Sequence, residues 1–267
     1  ADVIKRIGGR VDLWLPIAEL SHLGSKLGLG QDRDMLNYLS IKPKHRSGVS
    51  AFVPIGNGCN NFCSYCVVPY ARHREVYRPH REILIEVREL VESGLKEITV
   101  IAQNVNSYQD GEVDFPGLLK KLAAISGDFW LRFATSHPKD MSVELIEVIA
   151  ANDKLCNYIH LPVQAGNNAV LQAMNRKYTV EHYLALIKKI RQALPDLGLT
   201  TDIIVGFPGE SREQFLDTVE LFRQVRYDMA YIAQYSPRPG TAAFDLEDDV
   251  SREEKKWREE ELMKVLR

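Results

Sequence analysis

The feature that most limits this chain is an alternation. From Ala51 onward, short β-type runs trade places with amphipathic stretches of helical period, six times over. The strand-like runs fall at 51–56, 97–102, 130–134, 157–161, 199–205 and 230–235. Helical patterns lie between them at 80–93, 115–125, 142–151, 168–174 with 179–193, and 211–225, and a charged helix begins at 251. Ser142, Thr179 and Ser211 stand where helices need an N-cap, and Gly94 and Gly198 where helices should stop. The fold class is therefore α/β, and six β-α repeats fit either a doubly wound sheet or a partial barrel. In both, ligands meet the loops at the carboxyl ends of the strands. Residues 1–49 lack sustained periodicity apart from an apolar piece at 11–20, so the regular domain is expected to span 50–267.

Composition matters here for what it excludes. With 45% apolar and 26% charged residues the chain is of ordinary globular type, not disordered or fibrous. No apolar run approaches the roughly 20 residues that span a bilayer, so no membrane partner is expected and a cytoplasmic location is. A net charge of −2 argues against indiscriminate coating of nucleic acid, yet charge is locally uneven. Between 41 and 81, Lys42, Lys44, Arg46, Arg72, Arg74, Arg78 and Arg81 face Glu75 alone. Arg72, Arg74, Arg78 and Arg81 surround Tyr70 and Tyr77, which suits either a solvated face or phosphate contact with bases stacked on the rings. The acidic stretch at 245–260 reads as a solvated helix face.

The chemistry concentrates in Cys59-x3-Cys63-x2-Cys66, directly after the first strand in a loop rich in glycine and asparagine. Thiolates at this spacing can converge on one inorganic centre. A structural zinc ion would need a fourth ligand, from Cys156 or a histidine, and would make the chain a zinc-stabilised RNA-binding module. An iron-sulfur cubane would instead take three cysteines and leave one iron open for chemistry. Other strand-end loops also carry polar residues where packing does not ask for them: Gln103 and Asn104 after the second strand, Gln164 after the fourth, and Asp202 and Gly206 in and after the fifth.

Those cysteines, at the head of repeated β-α units, resemble the radical S-adenosylmethionine superfamily. The resemblance implies a partial (β/α)6 TIM-like barrel. It also implies a [4Fe-4S] cluster on Cys59, Cys63 and Cys66, whose open iron chelates S-adenosylmethionine and, once reduced, cleaves it to a 5′-deoxyadenosyl radical. Gln103, Asn104, Gln164, Asp202 and Gly206 would face that cofactor. The run from Gly58 to Arg72, with Gln103-Asn104-Val105-Asn106, Thr135-Ser136-His137-Pro138, Pro162-Val163-Gln164, Met174-Asn175-Arg176 and Gly206-Phe207-Pro208-Gly209-Glu210, is similar to the methylthiotransferase family. Two of these loops resemble its tRNA-acting branch. What this implies is a methylthio group added to carbon 2 of N-6-isopentenyl adenosine 37, with the tRNA anticodon stem-loop as partner and flavodoxin or ferredoxin as electron donor. Methylthiolation of a ribosomal-protein aspartate or of threonylcarbamoyl adenosine is the alternative within the family.

This sequence departs from the family pattern at His73, where glycine is usual, and at Ala165, where serine is usual. The family also carries an N-terminal domain, whose three cysteines hold an auxiliary [4Fe-4S] cluster, and a C-terminal RNA-binding TRAM domain. Residues 1–49 resemble only the tail of the former plus a linker. The chain is expected to be a core fragment without full sulfur-insertion activity.

Overall fold

The computed structural model describes residues 47–266 and, before them, Val11, Leu13, Leu15, Glu19, His22–Leu29, Leu39 and Pro43. Most of the apolar piece at 11–20, and Lys42, Lys44 and Arg46, lie outside the described residues. The chain divides into two units, 1–46 and 47–267. Among the described residues of the first, a short helix spans Leu23–Lys26.

Besides two short antiparallel pairs, the second unit is built, among the described residues, on six parallel strands, each followed by a helix. They are β1 (Ser50–Pro54), α1 (His80–Glu92), β2 (Glu97–Ile101), α2 (Phe115–Ala123), β3 (Trp130–Phe133), α3 (Val143–Ala150), β4 (Tyr158–His160), α4 (Val180–Ala193), β5 (Gly198–Val205), α5 (Arg212–Val225), β6 (Met229–Gln234) and α6 (Arg252–Leu266). All pairings among these strands are parallel, in two triplets ordered β1-β2-β3 and β4-β5-β6. A parallel bridge between Leu131 and Leu155 joins the triplets. Among the described residues β6 does not pair with β1, so the six strands form the expected partial barrel, open on one side.

Burial explains why the strands read as they do. In β2, between two neighbours, Ile98, Thr99 and Val100 are all buried, as in a strand covered on both faces. The edge strand β1 alternates instead, Ala51 and Val53 inward and Phe52 outward. Caps then fix where helices begin. The Ser142 hydroxyl accepts from Leu145 N at 3.0 Å, Thr179 caps α4, and Ser211 with Gln214 closes a reciprocal box at α5. Gly94, at φ +99°, ends α1 as expected. Gly198 does not stop a helix. It opens β5, and α4 has already ended at Ala193, just before Pro195, which cannot continue a helix.

Most acids of the stretch 245–260 are exposed, as expected, but two bases of its helix turn inward. α6 buries Lys255 and Arg258. Lys255 Nζ meets Asp248 at 2.7 Å, and its stem fills the space that a side chain on Gly206 would need. Arg258 Nη1 meets Glu210 Oε2 at 2.8 Å, with both side chains almost wholly buried. The same carboxylate accepts from Gly206 N at 2.7 Å, so α6 is tied to the loop that follows β5.

Candidate active site

The cysteine loop is built by clamps at both ends. After β1, Gly56–Asn57 pairs antiparallel with Val76–Tyr77 and pinches off the intervening segment. Gly58 takes φ +85° there, and a Cβ would meet Arg74 O at 2.2 Å, so only glycine fits. Its amide donates to Gln103 Oε1 at 2.7 Å, which ties the loop to the end of β2. Cys59 N donates to His73 O at 3.1 Å, and Asn60 N to Glu75 Oε1 at 3.1 Å. At the far side Ser64 N and Oγ donate to Met174 O and Ala173 O, and Asn175 Nδ2 donates to Phe62 O.

His73 closes this loop in a conformation that side chains avoid, φ +63° and ψ −161°. That region belongs essentially to glycine, and another residue held in it costs about 1–3 kcal/mol. The departure noted in the sequence is thus a strained one. His73→Gly relieves the strain but gives the unfolded chain more freedom, so a net gain of about 1 kcal/mol is expected. A urea midpoint unchanged or lowered by the substitution would contradict this. At the other departure, Ala165 is buried with only a methyl group.

Cys59, Cys63 and Cys66 all line one cavity of about 380 Å³ at the carboxyl ends of the strands. Gln103, Asn104, Gln164 and Asp202 line it too, so the structure gathers four of the five polar candidates around the thiols. Gly206 is not among the lining residues; its amide and its open side face Glu210 and Lys255. A second cavity of about 490 Å³ adjoins through Tyr65, Cys66, Val68, Gln164 and Asp202, and reaches Tyr231, Tyr235 and Arg238 beside β6.

Several of the polar lining residues are held from behind. Gln164 has φ +74°, pinned because its amide donates to Asp202 O and its carbonyl accepts from Ile204 N. Asp202 Oδ1 lies 3.3 Å from His160 Nε2, and His160 Nδ1 lies 2.9 Å from Thr200 Oγ1. Asn104 Nδ2 donates to Asp140 at 2.9 Å. Asn104 Oδ1 and Ser136 Oγ are buried with no partner among the described residues, which is unusual for native polar atoms and fits a polar ligand in this space. His137 is bound through its backbone to Asn106, and burial, with Arg176 and Lys139 nearby, pushes its pKa down to about 2. It is a neutral structural histidine, as lone histidines usually are.

Arg176 was not singled out in the sequence beyond its place in a motif. It is buried beside the loop, and Nη1 donates to Cys63 Sγ at 3.4 Å. No local pattern could flag a contact 113 residues apart in sequence.

The donor set suits an iron-sulfur cluster better than a zinc ion. Three soft thiols face a roomy cavity, while among the described residues no group of three or more His, Cys, Asp or Glu side chains surrounds a common ion position. Cys156 cannot complete a zinc site, because it lies at the opposite, amino ends of the strands. There its amide donates to Leu131 O, and the thiol lines a separate cavity of about 620 Å³. Burial pushes the Cys59 and Cys66 thiols above their ordinary value, which bound iron would reverse.

The profile of the Radical SAM superfamily matches residues 53–222. The chain belongs to the radical SAM superfamily. Membership in this superfamily implies a [4Fe-4S] cluster and S-adenosylmethionine. Among curated proteins, the tRNA-2-methylthio-N(6)-dimethylallyladenosine synthase of Thermoanaerobacter pseudethanolicus is 52% identical over 236 residues, 87% of this chain and 50% of that protein. The synthase of the same name from Desulfitobacterium hafniense is 43% identical, covering 98% of this chain and 61% of its own length. This radical SAM chain thus spans about half to three fifths of the relatives it matches. The fold agrees with a solved radical SAM enzyme, coproporphyrinogen III oxidase (HemN) of Escherichia coli, at a TM-score of 0.62 and 18% identity, over 82% of this chain and 52% of that one.

Beyond the cavity, the basic segment divides. Arg78 is buried against Glu86 at 2.7 Å and donates to Pro54 O, which takes it out of any nucleic-acid surface, while half-buried Tyr77 donates its hydroxyl proton to Glu75 and lies 2.9 Å from Ser107 Oγ. Arg74, Arg81 and Tyr70 are exposed, Arg72 is half-buried, and the Tyr70 ring stands edge-on to exposed Phe62 with centroids 6.2 Å apart. No helix among the described residues is long and apolar enough to cross a membrane.

Proposed function

We propose that this chain carries the catalytic core of a tRNA methylthiotransferase, which adds a methylthio group to carbon 2 of N-6-isopentenyl adenosine 37. The observation that carries the reading is the convergence of Cys59, Cys63 and Cys66 with Gln164 and Asp202 on one cavity, in a chain about half identical to synthases of that name. Cys59, Cys63 and Cys66 hold the [4Fe-4S] cluster as thiolates, and Gln103, Asn104, Gln164 and Asp202 contact S-adenosylmethionine. When bound, these groups supply one-electron chemistry, which the reaction needs because adenine carbon 2 offers no acidic proton to a side-chain base.

The protein's own part is to bind, orient and shield. Gln103 sets the loop through the Gly58 amide, and Gln164 is locked to β5 by two backbone bonds. Asp202, held by His160, presents a carboxylate suited to ribose hydroxyls. His137 stays neutral and moves no proton. The partner is the anticodon stem-loop, met by Arg72, Arg74 and Arg81 on phosphates and by Tyr70 and Phe62 on exposed bases. Electrons come from a flavodoxin or ferredoxin.

Mass spectrometry of tRNA from a deletion strain tests the reaction: loss of the 2-methylthio derivative of isopentenyl adenosine is expected. Intact 2-methylthio nucleosides would exclude it, and loss only of the threonylcarbamoyl derivative would assign the alternative substrate. For the partner surface, affinity for an anticodon stem-loop falls with added salt. Replacing Arg72 and Arg74 by alanine lowers the salt slope by about one per arginine. An unchanged slope would remove both from the interface.

A further inference from the structure

Four cations are buried in the second unit: Arg78, Arg176, Lys255 and Arg258. Three of them have a carboxylate. Arg78 meets Glu86, Lys255 meets Asp248 and Arg258 meets Glu210. Arg176 has none among the described residues. Its Nη2 donates to Pro162 O at 2.8 Å, its Nε to the Tyr178 hydroxyl at 2.8 Å, and its Nη1 to Cys63 Sγ at 3.4 Å. Tyr178 braces it, with the guanidinium carbon 5.1 Å from the ring centroid and the hydroxyl donating on to Val163 O at 2.7 Å. Arginine cannot shed its proton to escape such a site, and a buried charge without a counter-charge is costly.

We propose that Arg176 is the counter-ion of the cluster and sets its reduction potential through the sulfur of Cys63. The inference rests on the reading that Cys59, Cys63 and Cys66 hold that cluster. A cubane on thiolates carries net negative charge and gains one more electron, from an external low-potential donor, when reduced. A fixed cation at one sulfur therefore favours the reduced form, and hydrogen bonds to the sulfurs act in the same direction. Neutral polar ligands would satisfy the three donors without the charge. What the charge adds is an electrostatic bias at the one thiol that is itself buried. Arg176 is in this account a positioning residue, not a catalytic one.

The test is a redox titration, followed by electron paramagnetic resonance, of the chain reconstituted anaerobically with iron and sulfide and kept free of S-adenosylmethionine. In Arg176→Gln the equilibrium constant for one-electron reduction is expected to fall about tenfold, equivalent to about 59 mV more negative. Arg176→Lys keeps the charge but not the fork that reaches Pro162 O and the sulfur together, and a shift of about threefold in the same direction is expected. Iron and sulfide content are measured first. If Cys63→Ala retains the full cluster, the ligand assignment fails. If the cluster is intact and Arg176→Gln keeps the wild-type potential, or Arg176→Lys shifts as far as Arg176→Gln, the counter-ion role fails. A shift seen only after S-adenosylmethionine is added would also overturn it, by assigning the charge to the carboxylate of that molecule instead.

Discussion

Cys63→Ala is expected to hold well under half of the wild-type iron after anaerobic reconstitution and to release no 5′-deoxyadenosine from S-adenosylmethionine. The size of the effect follows from ligand count. Three thiolates already leave one iron of the cubane open, and with two the cluster has too few anchors to persist. Cys63 is the severest of the three to lose because it is the buried one, held between the turn to Cys66 and the guanidinium of Arg176. Cys156→Ala is the control. Its thiol lies at the other end of the strands, so iron content and cleavage should both stay at wild-type levels. Loss of iron in the control, or retained cleavage in Cys63→Ala, would overturn the ligand assignment.

Arg258→Ala is expected to destabilise the second unit by about 3–5 kcal/mol, the usual loss when one member of a buried ion pair is removed. Glu210 would be left with its charge buried and only backbone amides to answer it. Burial already pushes the Glu210 carboxyl above its ordinary value, with Arg258 pulling the other way, so the variant's carboxyl should rise further. A group whose folded pKa is raised contributes stability below its unfolded pKa and loses it as pH climbs through the folded one. The deficit of Arg258→Ala should therefore be larger at pH 8 than at pH 5. Urea denaturation at the two pH values checks both statements. A deficit near zero would mean that α6 is not anchored through this pair, and a deficit growing toward low pH would mean that Glu210 is not the group left exposed to the imbalance.

The fold was legible because its signals are local and repeated. β2 reads as a strand from Ile98-Thr99-Val100 whatever it packs against, and Ser211 announces the start of α5 on its own. The six parallel strands therefore fall within about two residues of where periodicity put them. Two-residue pairings such as Gln109–Asp110 with Val113–Asp114 have no period to detect, and they were not foreseen. Long-range electrostatics were equally hidden. Arg78 counted as part of a basic face until Glu86 took it inward, and Arg258 looked like one more charge on a solvated helix until Glu210, 48 residues earlier, turned out to be its partner. The site was half legible. The cysteine spacing names a chemistry, and the strand-end rule gathers Gln103, Asn104, Gln164 and Asp202 around it, but nothing in the local sequence says that Arg176 reaches Cys63 or that His73 is held in a glycine conformation.

The central claim is that a thiol-bound iron-sulfur centre in this cavity works on S-adenosylmethionine. The most direct measurement is chromatography of products after the anaerobically reconstituted chain is mixed with dithionite and S-adenosylmethionine. Appearance of 5′-deoxyadenosine and methionine in equal amounts, dependent on reductant, is the expected result. Intact S-adenosylmethionine beside a fully loaded and fully reduced cluster would contradict the account.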